Sequence, residues 1–254
     1  MKRLHKQAKI GIRWLNCGWR LFRRNPWLLL GMGLTSMLVI VILVSIPFVG
    51  SLVIAFLAPI LMSGAVLAAD ELSRQKMALP ASLRAAAFMR SPKVLVSVVA
   101  KSEHVATVLV MGMYTLAVAL AINIAAYAIS GGAWVNNLLS LDTEMMLRVL
   151  GTWLVVLLLY LVLTMSLIYS IPLIFLQGTP VVPALARSLQ AGWRHLAGLI
   201  VVVGVAFIPF ALGVIASPFS TIAMYTIWFL GGAIALPLFI TSSYCSYRTV
   251  VPPE

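Results

Sequence analysis

Six long apolar runs constrain this chain more than any other feature of its sequence. An α-helix needs about 20 apolar residues to cross the hydrocarbon core of a bilayer, and each run reaches that length. Because lipid offers no partners for backbone N–H and C=O groups, spanning segments as long as these are helical. The sequence therefore predicts an all-α polytopic membrane bundle of six transmembrane helices, at Trp27–Ile46, Phe48–Ala69, His104–Ile129, Arg148–Leu176, Ala197–Ala216 and Ile222–Tyr244.

The charge content agrees with a membrane domain and excludes a soluble one. Only 9% of the residues are charged and 62% are hydrophobic, whereas a soluble domain carries about 25% charged residues. We therefore expect two parts. Residues 1–26 form a cationic amphipathic interfacial helix, and residues 27–254 form the six-helix transmembrane domain, with longer cytoplasmic loops at 70–103 and 177–196.

Basic residues are distributed very unevenly between the two ends of the predicted spans. Of the 18 lysines and arginines, only Arg148 falls on the side opposite to the N-terminal segment, the two longer loops and the C-terminal tail. The positive-inside rule places basic segments in the cytoplasm, so we expect a multi-pass protein of a bacterial cytoplasmic (inner) membrane with both termini cytoplasmic. Since these cations flank spans, the net charge of +12 favours anionic lipid as the partner, and no nucleic-acid partner is expected.

The N-terminal segment has the pattern of a helix with one cationic face. At a helical repeat of 3.6 residues per turn, its basic residues from Lys6 to Arg24 share one sector of about 100°, and apolar residues occupy the rest. Such a helix lies in the membrane surface, with its rings among the headgroups and its cations on the phosphates. A shorter segment before the fifth span repeats the pattern. The residues predicted to contact lipid or the interface are Arg13, Trp14, Trp19, Arg20, Arg23, Arg24, Arg187, Trp193 and Arg194.

Two recurrences indicate an internal repeat. The tripeptide Gly-Trp-Arg occurs at residues 18–20 and again at residues 192–194. In addition, the second, fourth and sixth spans each contain a proline followed by two bulky apolar residues, at Pro59, Pro172 and Pro237. Repeated units are a common way to build membrane folds. We therefore expect three repeats, each an amphipathic surface helix followed by a helical hairpin.

Three stretches carry a resemblance to a known group of proteins: residues 18–26 (GWRLFRRNP), residues 46–50 (IPFVG) leading to Pro59 and Gly64, and residues 172–189, which include PLIFLQG and ALARSL. Together they resemble bacterial six-helix inner-membrane proteins, including YciC-like proteins and the membrane domain fused to some glycerophosphodiester phosphodiesterases. The resemblance spans nearly the whole chain and implies a fold and a membrane without an assigned reaction. The C-terminal Tyr244–Arg248 stretch lacks the acidic residue expected beside the arginine in those relatives.

The sequence carries no recognisable catalytic constellation. It has no Gly-rich phosphate loop, nucleophile elbow or HExxH motif, and the phosphodiesterase domain of the relatives is missing. Cys17 and Cys245 belong to no CxxC pair, so neither a disulfide nor a zinc site is expected. We therefore expect a protein that is not an enzyme and binds no cofactor or metal.

Polar groups inside the predicted spans are scarce. Asn123 is the most polar residue at mid-span depth, on the same stretch as Ala117, Ala121 and Ala125. Small residues allow two helices to approach closely, and an amide can hydrogen-bond across their contact. Asn123 is therefore expected to make an intramembrane polar contact between helices, with a contact to a transported solute as the alternative.

Two functional hypotheses from different classes follow from these features. In the first, the protein is a non-enzymatic integral inner-membrane protein whose cationic cytoplasmic surface helices engage anionic lipid, a membrane-protein partner or a second copy of the chain. In the second, it is a transporter or flippase of a lipid-like or weakly polar solute, through a path lined by Asn123 and the helices kinked by proline.

Overall fold

The structure is a computed structural model that describes residues 2–46, 49–74, 81–96, 102–130 and 143–251. These residues form nine α-helices and no strand, in agreement with the predicted fold class. In chain order the helices are α1 (Lys2–Arg24), α2 (Pro26–Val44), α3 (Val49–Arg74), α4 (Ala81–Leu95), α5 (Ser102–Ser130), α6 (Thr143–Gln177), α7 (Val181–Arg194), α8 (Leu196–Ala216) and α9 (Thr221–Val250).

Six of these helices, α2, α3, α5, α6, α8 and α9, are long and apolar enough to cross a membrane. All six predicted spans are therefore confirmed as helices, and the chain is an integral membrane protein. Two of them continue well past their predicted ends, because α3 runs on to Arg74 and α9 to Val250. The apolar pattern marks only the part of a helix that lipid surrounds, so a polar extension beyond it has no hydropathy signal.

The boundary between α1 and α2 lies where the proline predicts it. Asn25 caps α2, with its side-chain oxygen accepting a hydrogen bond from the backbone N–H of Leu28 at 3.2 Å. Pro26 follows at the first helical position, where its missing N–H costs nothing. Asn25 is almost fully buried, so the chain turns inside the protein at this point and α1 is held against the bundle.

The three helices that are not candidate spans, α1, α4 and α7, each pack against a pair of spanning helices. That pair precedes the helix in the chain, or, for α1, lies at the C-terminal end. α4 packs mainly on α2 and α3, α7 packs on α6, and α1 packs on α9 and α8 at the other end of the chain. The predicted order of one helix outside the spans and two spanning helices, repeated three times, is confirmed. The packing adds that each helix outside the spans is partnered by the neighbouring unit, so that α1 closes the arrangement.

The tightly packed core lies at one end of the bundle. Buried residues concentrate in the C-terminal halves of α3, α6 and α9, together with α1 and the first turns of α2 and α8. On α6, residues 165–174 are buried, whereas Leu154 and Leu157, in the N-terminal half of the same helix, are 60% and 61% exposed. We call the packed half the compact end. Exposed apolar area as extensive as that of the other half marks a surface for lipid in a membrane protein.

Cys17 on α1 and Cys245 on α9 form a disulfide at the compact end, with 6.2 Å between their Cα atoms. The sequence-based expectation of no disulfide was wrong. The two cysteines are 228 residues apart, and no local spacing shows that the first helix returns to the last one. Only the cyclic packing brings them together.

Candidate functional site

α1 attaches to the bundle along a stripe of small and buried residues. Gly11 faces α8, where a Cβ would lie 2.6 Å from the carbonyl oxygen of Gly198, and Gly18 faces α9, where a Cβ would lie 2.7 Å from the backbone nitrogen of Ser242. Distances as short as these leave room for glycine only. The two close approaches fix the rotation of α1 about its own axis and thereby decide which residues face outward.

Trp14 lies inside this contact and does not reach the surface. Its side chain is 3% exposed, its indole N–H donates to Thr249 Oγ1 at 2.8 Å, and its ring meets that of His195 edge-on at 6.1 Å. Trp14 was predicted to lie among lipid headgroups, and the structure instead places it between protein helices. An apolar helix face alone does not distinguish lipid from protein as its neighbour. Trp19, in contrast, is 46% exposed and stacks on Phe22.

The outward face of α1 carries the cations predicted from the sequence. Arg13, Arg20, Arg23 and Arg24 are all exposed, and Lys9 continues the row. Arg24 also has a structural contact, because its Nη1 donates to the carbonyl oxygens of Leu72 at 2.9 Å and of Ser73 at 3.2 Å. These carbonyls lie at the C-terminal end of α3, where a positive charge is favourable.

α7 presents the second set of predicted interface residues. Ala184, Ser188 and Gly192 are buried against the bundle, and Arg187, Trp193 and Arg194 on the other faces are exposed, with Trp193 68% exposed. The contact of Trp14 with His195, the residue that follows α7, joins α1 to this end of α7. Both cationic helices therefore belong to the compact end.

A cavity of about 380 Å³ opens between α1, α3 and α9 at the compact end. Three guanidinium groups line it, and hydroxyl groups from three further residues complete the polar part of its wall. The disulfide forms another part of the wall. The polar lining residues are Arg20, Arg24, Arg248, Ser73, Tyr244 and Thr249.

The hydroxyl of Tyr244 connects α9 to α3 beside this cavity. It donates to Asp70 Oδ1 at 2.7 Å and accepts from Arg248 Nη1 at 3.2 Å. The other carboxylate oxygen of Asp70 pairs with Arg74 at 2.8 Å. The carboxylate of Asp70 is thus occupied by a hydrogen bond and an ion pair. Two of the lining arginines, Arg24 and Arg248, are held by hydrogen bonds to α3 and α9, and guanidinium groups suit an anion.

Sequence reasoning identified two of the cavity's arginines, Arg20 and Arg24, but missed the rest of the site. Ser73, Tyr244, Arg248 and Thr249 come from the final turns of α3 and α9, at or beyond the predicted span ends. The available signal was the clustering of hydroxyl-bearing residues and arginine just after an apolar run. It does not show which runs end side by side.

Asn123 does not make the predicted contact between helices. Its side chain is exposed on the outer surface of α5, and its Nδ2 donates to the carbonyl oxygen of Ala119, four residues earlier in the same helix, at 2.8 Å. The amide is satisfied locally and points away from the bundle interior. Within the described part of the chain, no group of three or more histidine, cysteine or acidic side chains is placed to hold a metal ion.

The chain matches no protein-family model, no curated protein and no solved structure. The resemblance to YciC-like proteins and to the phosphodiesterase-linked membrane domain therefore stays a prediction. What the site can do follows from its own geometry, which is an array of guanidinium groups at one end of a membrane-spanning bundle.

Proposed function

We propose that this integral membrane protein is a non-enzymatic component of a bacterial inner membrane that binds anionic lipid through the cationic outer faces of α1 and α7. In this proposal the compact end lies at the cytoplasmic surface. The observation that carries it is the pairing of a buried stripe on α1, fixed by Gly11 and Gly18, with an exposed row of arginines on the opposite face. A helix docked in this way presents its charges without losing further conformational entropy on binding.

The position of the array supports lipid as the partner. Arginines at the end of apolar spans lie at headgroup depth, where each cation near an anionic surface contributes about 1 kcal/mol. The exposed rings of Trp19 and Trp193 are amphipathic groups that favour the same depth. The transport alternative gains no comparable support, since Asn123 faces outward and is satisfied within its own helix.

Reversal of two charges outside the cavity tests this proposal. Arg13 and Arg23 are exposed and do not line the cavity, so we expect Arg13→Glu combined with Arg23→Glu to reduce the enrichment of phosphatidylglycerol around the protein several-fold. The reason is the loss and inversion of about 1 kcal/mol of attraction per cation. The measurement is the ratio of phosphatidylglycerol to phosphatidylethanolamine in polymer-bounded membrane discs that contain the protein.

The matched control keeps the positive charge and changes only the shape of the charged group. Arg13→Lys combined with Arg23→Lys should retain the enrichment, because attraction to a lipid surface depends mainly on charge. The proposal is wrong if the doubly reversed variant, extracted at the same yield, carries the same lipid ratio as the unaltered protein.

A further inference from the structure

The geometry points to a defined phosphate-binding site in the cavity between α1, α3 and α9, with Arg20, Arg24 and Arg248 as the groups that hold the anion. The ligand class is a phosphate monoester or diester, which in a membrane is the headgroup phosphate of a lipid. Its assignment to lipid rests on the function proposed above, whereas the binding of phosphate does not. The site shares Arg20 and Arg24 with the outward face of α1 but differs from that face in being a concave space bounded by three helices.

The charges around the cavity favour an anion. Three guanidinium groups line it, and none of the described residues that line it carries a carboxylate. Like charges around one partly enclosed space repel one another, and a phosphate group between them replaces this repulsion by attraction. Arginine suits the task because its planar fork can give two parallel hydrogen bonds to phosphate oxygens.

The nearest acidic group is already compensated. One carboxylate oxygen of Asp70 accepts a hydrogen bond from the hydroxyl of Tyr244 at 2.7 Å, and the other pairs with Arg74 at 2.8 Å. The negative end of the α3 dipole is likewise covered, since Arg24 Nη1 bonds the carbonyl oxygens of Leu72 and Ser73. Neither feature therefore cancels the positive charge that Arg20 and Arg248 bring to the wall.

The size of the cavity suits a lipid headgroup. Its volume of about 380 Å³ lies in the range of roughly 300–1,000 Å³ that is typical of ligand pockets. The hydroxyls of Ser73 and Thr249 supply neutral polar groups beside the arginines, which suits a polyol attached to phosphate.

The experiment measures binding of defined probes to the full-length protein in detergent. Dioctanoyl phosphatidylglycerol, glycerol 3-phosphate, inorganic phosphate and a galactosyl diacylglycerol without phosphate are titrated separately, with native mass spectrometry and calorimetry as readouts. We expect one saturable site for the phosphate-bearing probes and none for the galactolipid. Tight binding of the short phospholipid alone identifies a lipid headgroup, and comparable binding of glycerol 3-phosphate or inorganic phosphate identifies a soluble phosphate compound.

Two variants locate the site. Arg20 makes no hydrogen bond or ion pair with the described residues, so Arg20→Gln removes a charge without removing a contact of the fold, and we expect about tenfold weaker binding. Arg248→Gln should weaken binding at least as much, although it also removes the hydrogen bond to Tyr244. Arg90→Gln on the exposed face of α4 is the matched control, and its affinity should be unchanged.

Three results would overturn the assignment: no saturable binding of any phosphate probe, equal binding of the galactolipid, or an Arg20→Gln variant that binds as tightly as the unaltered protein. These outcomes differ from a failure of the lipid-surface proposal, which is tested by the lipid enrichment around the variant with Arg13→Glu and Arg23→Glu. A variant can lose the enrichment of phosphatidylglycerol and still bind phosphate in the cavity, and the reverse is equally possible.

Discussion

Gly18 has no Cβ where α1 touches the backbone of α9, and together with Gly11 it positions the cationic face of α1. A Cβ at this residue would lie 2.7 Å from the nitrogen and 2.8 Å from the Cα of Ser242. Backbone atoms cannot move aside as a flexible side chain can, so any larger residue pushes α1 outward. The sequence showed that Gly18 recurs in a Gly-Trp-Arg tripeptide, but it could not show that the recurrence reflects helix contact.

Gly18→Ala should therefore lower the free energy of unfolding by about 1–3 kcal/mol, the usual cost of overpacking a tight contact. Gly204→Ala on α8 is the matched control, because nothing lies within 4 Å of a Cβ at that position. Alanine is favoured over glycine in helices by about 1 kcal/mol, so the control should be neutral or slightly stabilising. Thermal unfolding in detergent measures both, and equal melting temperatures for the two variants would contradict the close contact.

At the scale of the element, α7 is joined to α6 by a side chain that forms hydrogen bonds with the backbone of α6. Ser188 Oγ donates to the carbonyl oxygen of Met165 at 2.7 Å and accepts from the backbone N–H of Tyr169 at 3.0 Å. These two backbone groups are four residues apart and would otherwise bond each other. The fully buried hydroxyl thus bonds both backbone groups of one helical turn of α6.

Ser188→Ala should release α7 before the rest of the bundle unfolds. The change removes two buried hydrogen bonds between α7 and α6, at a cost of about 1–3 kcal/mol. We expect faster hydrogen exchange in α7 than in α8, measured by mass spectrometry of peptides from each helix. Gln190→Ala on the exposed face of α7 is the control and should leave exchange unchanged. Uniform exchange across both helices in the serine variant would show that Ser188 does not hold α7.

The helices themselves were largely predictable, because apolar length and flanking charge are local properties of the sequence. The ends of α8 at Leu196 and Ala216 agree with the predicted span to within one residue. The ends of α3 and α9 do not agree with the predicted spans, because their last turns are polar and lie outside the apolar runs. The candidate site lies at those two ends, so the part of the fold that hydropathy cannot detect is also the part that forms the cavity.

At the scale of the whole molecule, the disulfide joins the first helix to the last and closes the cyclic arrangement of hairpins. Nothing in the local sequence around Cys17 or Cys245 predicts this, since it depends on three units returning to their starting point. The link does not act alone. Trp14 bonds Thr249 and Gly18 contacts Ser242, so α1 is also held by packing on both sides of Cys17.

Reduction of the purified protein should lower its free energy of unfolding by about 2–4 kcal/mol, the usual contribution of a disulfide, and should leave α1 docked at room temperature. Cys17→Ser and Cys245→Ser should each match the reduced protein, and a reductant should not change either variant further. The readout is thermal unfolding with and without dithiothreitol. The link is unimportant if reduction leaves the melting temperature of the unaltered protein where it was.

The same two cysteines report the compartment of the compact end. The disulfide of the structure and the basic residues make opposite predictions for this compartment. A disulfide that persists in cells is typical of an oxidising compartment, whereas a cytoplasmic location, as proposed from the basic residues, predicts free thiols in growing cells, because the cytosol keeps thiols reduced. Acid-quenched alkylation of intact cells counts them directly. Two alkylated cysteines support the cytoplasmic placement, and a pair protected until reduction places the compact end in an oxidising compartment.

The closure of the ring by α1 also sets an order of assembly during synthesis. The surface that receives Trp14 and Gly18 is built from α8 and α9, so it does not exist until the C-terminus has been made. With 228 residues between Cys17 and Cys245 and translation at about 5–20 residues per second, α1 waits on the order of 10–50 s for its partner. During that interval α1 lacks the contacts with α8 and α9, and of its contacts described above only the one from Arg24 to the end of α3 can form. A chain that stops early would leave this helix undocked, which makes the N-terminus a marker by which a cell could recognise an incomplete copy.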